Sequence, residues 1–255
     1  VGESGAGKST IGNAIVNLLE PPGEITTGEV LFKGQDLRNL DDKEMRDVRG
    51  KKIGMIFQDP QTSLNPLMTI GAQLIETINK TINLYGSEAT NKAIELLESV
   101  AIDEPEARLN LYPHQFSGGM RQRVVIALAL AGNPDLIIAD EPTTALDVSI
   151  QAQILDLIKK LCKERQVGVI IITHDIGVIA NISDRVTVMF NGQAVESGEV
   201  KQILTNPKHE YTKSLIAAVP RGDKKVERFK SIDYIEGGAQ TQRRIDLDHH
   251  WLGKK

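Results

Sequence analysis

The chain has 255 residues, 40% of them hydrophobic and 25% charged, with a formal net charge of -4. That length holds one large α/β domain or two small ones, and the mildly acidic balance argues against a nucleic-acid partner. Cys162 is the one cysteine, so an internal disulfide is excluded and a reducing compartment fits.

No apolar run approaches the roughly 20 residues that cross a bilayer. The reading expects no signal peptide, and it expects any membrane association to come through a partner protein. Val1 leads directly into a glycine loop that normally follows a strand. The first strands of the fold are therefore expected to lie outside this chain.

In chain order, Thr10 to Leu19 reads as a helix ending before Pro21-Pro22. Gly28 to Gly34 reads as a short strand closing in a turn, and Asp41 to Val48 as a short polar helix. Ile53 to Phe57 is apolar and β-prone. From Pro66 to about Leu109 the pattern turns helical, with Ile94, Leu97 and Ala101 at helical spacing. Met120 to Ala131 forms a helix without internal breakers, and Leu136 to Ala139 a buried-type strand ended by acids. Ile150, Ile154, Leu157, Ile158 and Leu161 mark an amphipathic helix. Val169 to Ile172 reads as a second buried-type strand. Val186 to Phe190, Asn191-Gly192 and Gln193 to Glu196 read as a hairpin with a primed turn. Strands alternating with helices imply a parallel sheet covered on both faces, and the all-helical middle reads as an inserted subdomain. Residues 221–255 change character, with Gly237-Gly238 and few apolar clusters, and read as an extension or the stub of a further domain. His249-His250 in that polar tail read as solvated rather than as metal ligands.

Three segments carry chemistry. Gly2-Glu3-Ser4-Gly5-Ala6-Gly7-Lys8-Ser9 matches G-x-x-x-x-G-K-[ST], with Thr10 following. Its glycines let several N–H groups converge, a helix N-terminus adds positive potential, Lys8 can neutralise phosphates and Ser9 can ligate Mg²⁺. The strand ending in Asp140-Glu141 places two carboxylates where open α/β sheets bind ligands. Asp140 would hold Mg²⁺, and Glu141 would polarise an attacking water as general base. Ser117-Gly118-Gly119-Met120 opens the helix of Arg121, Gln122 and Arg123. It reads either as an ordinary Ser-capped start or as a second anion cradle. A second cradle makes sense if two copies meet head to tail around ATP.

In this order the motifs resemble the ATP-binding subunits of ABC transporters. The resemblance covers about residues 1–220 and implies an α/β P-loop NTPase, RecA-like core with a mostly parallel sheet, a small antiparallel β part and a helical subdomain at about 66–132. It implies that Ser117, Gly118, Gly119 and Met120 are the signature motif, commonly L-S-G-G-Q; Phe116 and Met120 depart from its outer positions. It further implies that Gln58 is the Q-loop glutamine near Mg²⁺, Asp147 in Ala145-Leu146-Asp147 the D-loop acid, and His174 the switch histidine on the γ-phosphate. The family's adenine-stacking aromatic has no counterpart here.

Phe57-Gln58-Asp59-Pro60, Thr62 to Pro66, Phe116 to Arg123, Asp147 to Gln151 and His209-Glu210-Tyr211-Thr212 look like the oligopeptide/dipeptide import branch. Some members of that branch carry an iron–sulfur cluster; with Cys162 alone, none is expected here. The resemblance implies ATP and Mg²⁺ as ligands and a second ATP-binding subunit as partner. It also implies two membrane permeases, an indirect periplasmic or extracellular solute-binding protein, and a peripheral place on the cytoplasmic face of the membrane. The alternative is a soluble ABC ATPase of translation or DNA repair. A P-loop kinase or GTPase is a further rival, with no use for Ser117-Gly118-Gly119 plus His174.

Overall fold

A computed structural model describes residues 1–144 and 146–218. The expectations for the extension at 221–255 and for His249-His250 lie outside the described residues, as does Ala145.

The elements follow from local chemistry. Helix α1 (Lys8–Ile15) begins at Gly7 in the left-handed region and ends early. Asn17 adopts φ 51, and Leu18 N–H donates back to the Asn13 carbonyl at 2.8 Å, so the expected run to Leu19 is cut short by a Schellman-type close. The expected strand over Gly28 to Gly34 contracts to β1 (Leu31–Phe32), paired with β2 (Gln35–Asp36), because Lys33 and Gly34 turn through positive φ. Helix α2 (Asp42–Val48) carries a full capping box between Asp41 and Glu44. Strand β3 (Ile53–Ile56) leads to the short α3 (Pro60–Ser63).

The helical stretch divides into α4 (Ile70–Ile82), α5 (Gly86–Ser99) and α6 (Pro105–Arg108). Asn83 in the left-handed region separates the first two; Ala101, expected within a helix, lies beyond α5 at φ 56. Helix α7 (Gly118–Leu130) starts two residues before Met120, because Ser117 caps it by accepting from Met120 N–H at 3.3 Å. Then come β4 (Leu136–Asp140), α8 (Val148–Arg165), β5 (Gly168–Ile172) and α9 (Ile176–Ile182). The hairpin β6 (Arg185–Phe190) and β7 (Gln193–Glu199) turns through Asn191 and Gly192, both at positive φ as a type I′ turn demands. Helices α10 (Val200–Thr205) and α11 (Glu210–Ala217) close the described part.

Strands β3, β4 and β5 form a parallel sheet in that order, with Ile53 opposite Leu136 and Leu136 opposite Gly168. β4 is central, which is why Ile137, Ile138 and Ala139 are all buried. β5 was expected to be equally buried, but it lies at the end of this sheet and alternates, with Ile170 38% exposed. Beside β6, the Val1 ammonium donates to the Thr187 carbonyl at 2.8 Å, and Met189 N–H donates to the Val1 carbonyl at 2.7 Å. The largest core joins the sheet to the helices α4, α5, α7 and α8, so the ends of β3 and β4 are held rigidly where the loops leave them.

Candidate functional site

The loop from Gly2 to Ser9 is shaped by its glycines. Gly2 is buried against β6, where any Cβ would collide with the Met189 carbonyl. Gly5 and Gly7 sit at φ 83 and φ 85, conformations that side chains disfavour. No side chain caps α1, so its first-turn amides remain available to an anion. Lys8 is buried, and its ammonium donates to the Glu3 carbonyl at 2.7 Å. Ala6 is buried as well.

Above the loop lies a cavity of about 500 Å³ lined by Glu3, Ser4, Gly5, Gly7, Lys8, Ser9 and Thr10. Gln58, Glu141, His174 and Leu215 complete its wall. Four separate segments thus bring the expected loop, Q-loop glutamine, base and switch histidine to one space. Strand pairing explains this: β3 ends just before Gln58, β4 just before Glu141, and β5 two residues before His174, all at the same edge of the parallel sheet.

Ser9 Oγ donates to Asp140 Oδ1 at 2.9 Å. Burial pushes the Asp140 carboxyl above its ordinary range, and the neighbouring Glu141 charge adds to this, while the Ser9 bond works against it. A hydroxyl and a carboxylate oxygen this close are hard donors suited to Mg²⁺ that also takes phosphate oxygens. Among the described residues no group of three His, Cys, Asp or Glu side chains could hold a metal unaided. The donor set therefore fits a cation shared with a bound phosphate.

Glu141 is held from three sides. Gln58 Nε2 donates to its Oε2 at 3.1 Å, Thr144 Oγ1 donates to the same oxygen at 2.9 Å, and His174 Nδ1 lies 3.1 Å from Oε1. Burial pushes this carboxyl upward, but the bonds from His174 and Thr144, with the His174 and Lys8 charges, outweigh it and hold it below the usual range. Glu141 itself adopts φ 44, and its N–H donates to the Ile172 carbonyl at 2.8 Å.

Ser117, Gly118, Gly119 and Met120 do not line this cavity. They pack beside the start of α8: a Cβ on Gly118 would touch Leu146, and one on Gly119 would press on Ile150. Asp147 is the N-cap residue of α8 but makes no side-chain capping bond, leaving its carboxylate for other use. Sequence reasoning missed Thr144, Tyr211 and Leu215. Thr144 follows Glu141 by three residues, but a Thr-Thr pair there does not itself show that a hydroxyl reaches back; Tyr211 and Leu215 reach the site through long-range packing that spacing does not reveal.

A glycine loop opening a helix beside the carboxylate end of a parallel strand is the arrangement of a P-loop nucleotide-binding protein. The family described as ABC transporter matches residues 1–144, and the chain belongs to that family. A second match, to the oligopeptide/dipeptide transporter C-terminal region, covers residues 195–243. The chain is 58% identical over 221 residues to the oligopeptide transport ATP-binding protein OppD of Bacillus subtilis (strain 168), covering 86% of this chain and 62% of that protein. It is 51% identical over 234 residues to the dipeptide transport ATP-binding protein DppD of the same organism, covering 91% of this chain and 70% of that one. The chain thus spans less than two thirds of the first of these relatives. Among solved structures, the ATP-binding cassette MJ0796, in a dimeric post-hydrolysis state bound to ADP and Pi, superimposes with a TM-score of 0.67 at 36% identity. That superposition covers 78% of this chain and 83% of MJ0796.

Proposed function

We propose that this chain binds and hydrolyses ATP to power import of oligopeptides, dipeptides or related small solutes through an ABC transporter. The observation that carries the reading is the single cavity in which the phosphate loop, the Ser9–Asp140 pair and the Gln58–Glu141–His174 contacts meet. The amides of the loop and α1 bind the β- and γ-phosphates, and Lys8 exchanges the Glu3 carbonyl for phosphate oxygens. Ser9 and Asp140, with Gln58 nearby, would hold Mg²⁺, which would supply positive charge against the phosphate oxygens. Glu141 orients the attacking water and accepts its proton, and His174 steadies Glu141 and contacts the γ-phosphate.

Ser117, Gly118, Gly119 and Met120 complete the nucleotide site of a second ATP-binding subunit, identical or paralogous, with Asp147 at the junction. Residues 66–132 act as the helical insert that carries motion to two permease subunits at the cytoplasmic face of the membrane. A solute-binding protein outside the membrane delivers the cargo. The match at 195–243 and the names of the relatives support peptides as cargo. They also disfavour the soluble translation or repair ATPase.

The test is a pair of substitutions in the full chain, read by binding of a fluorescent ATP analogue and by phosphate release. Lys8→Ala loses binding and turnover together. Glu141→Gln keeps binding and loses turnover by roughly a hundredfold or more. Parent-rate hydrolysis by Glu141→Gln would remove Glu141 from the role of base.

A further inference from the structure

Helix α11 is tied to the phosphate loop. The Tyr211 hydroxyl accepts from Glu3 N–H at 3.0 Å, across 208 positions of sequence. The Tyr211 ring is buried and lies 4.3 Å from the Phe190 ring, between centroids. One turn on, Leu215 lines the nucleotide cavity. The start of α11 is fixed in turn by β7: Glu196 Oε1 accepts Lys208 N–H at 2.8 Å and Glu196 Oε2 accepts His209 N–H at 3.0 Å. His209 Nδ1 then caps the helix by accepting Tyr211 N–H at 3.2 Å.

Glu3 is the pivot of the loop. Its carbonyl accepts both Ala6 N–H, at 3.2 Å, and the Lys8 ammonium, at 2.7 Å. When a phosphate draws Lys8 away, that carbonyl loses its charged donor, and the anchor left on the Glu3 backbone's other side is Tyr211. We propose that Tyr211 is a positioning residue for the phosphate loop, its hydroxyl fixing the Glu3 peptide so that the loop keeps its anion-binding shape. Helix α11 is thereby mechanically joined to nucleotide binding. The inference rests on the reading of Gly2 to Ser9 as a phosphate loop.

The test is Tyr211→Phe in the full chain, which removes the hydroxyl and leaves the ring on Phe190. KM and Kd for ATP rise about fivefold, because a partly buried amide loses its acceptor, while kcat stays within about twofold. The melting temperature falls by no more than about 4 °C, since the packing survives. Tyr211→Leu removes ring and hydroxyl together; its melting temperature falls as well as its ATP affinity. A Tyr211→Phe chain that binds ATP like the parent overturns the inference. So does one whose melting temperature and kcat fall together with KM unchanged, since that is a structural role. Lys8→Ala, assayed beside it, separates the two ideas. If Lys8→Ala still binds ATP, the loop reading itself fails; if Lys8→Ala loses ATP and Tyr211→Phe does not, the Tyr211 role alone fails.

Discussion

A carboxylate that activates water must be ionised, aimed and rigid. In the role proposed for Glu141, its neighbours supply all three conditions. Its left-handed backbone, at φ 44, costs about 1 kcal/mol or more and persists because its N–H is held by Ile172 and its side chain by three partners. Thr144 is the partner with no other role in the site. Thr144→Val keeps the shape of the side chain and removes the donor, a bond to a charged group worth roughly 1.5 kcal/mol. We expect kcat for ATP to fall about tenfold with KM nearly unchanged, and Thr144→Ser to restore most of it; steady-state phosphate release measures both. The placement of Asp140 and Glu141 at the end of a buried strand was legible in the sequence, because an apolar run followed by acids marks where the strand leaves the core. Thr144 was not, because a Thr-Thr pair before a turn looks the same whether or not a hydroxyl reaches back to the base.

Elements, too, converge on the site only because some of their backbones touch. Gly54 in β3 admits the Ala129 carbonyl of α7, and Gly132, just past α7, admits the Gly50 carbonyl; a Cβ at either position would overlap that oxygen. These contacts set how far β3 lies from α7, and hence where Gln58 emerges. Gly132→Ala should therefore destabilise by roughly 2–3 kcal/mol, as overpacking without a flexible neighbour does. Thermal unfolding followed by circular dichroism would show a fall of roughly 4–12 °C. Element identity was readable from periodicity: β4 and the amphipathic α8 stand where the apolar spacing puts them. Element ends were less so. Asn17, Asn83 and Ala101 stop or interrupt helices by entering the left-handed region, and nothing in an apolar pattern marks which residue will do so. Burial was misread for β5 for a different reason, since an apolar run such as Val169 to Ile172 does not reveal how many neighbours its strand will have.

At the scale of the molecule, the four residues expected to reach the nucleotide of a second subunit stand apart from this chain's own cavity. Ser117, Gly118, Gly119 and Met120 do not line the cavity of Lys8 and Glu141, and Gly118 and Gly119 lie close to Leu146 and Ile150. Beside them Val148 is 82% exposed, and Asp147 is unspent as a cap. An apolar side chain, an idle carboxylate and a Ser-capped helix start on one face are what a subunit junction would cover. In the head-to-tail pair proposed above, each such face would lie over the other copy's phosphate loop, and two-fold symmetry would then build that contact twice. Two chains, each disabled at a different half, should then repair one another. Lys8→Ala spoils the loop and Ser117→Arg spoils the opposing face, so each variant alone should be inactive. Mixed in equal amounts, half of the pairs contain one of each, and in those pairs one of two sites is intact. The mixture should recover about a quarter of the parent phosphate-release rate if copies exchange freely and the sites act independently. Where a paralogous subunit takes the second place, the mixture stays inactive and recovery requires that subunit, with Ser117→Arg in this chain silencing the partner's nucleotide while this chain still binds its own.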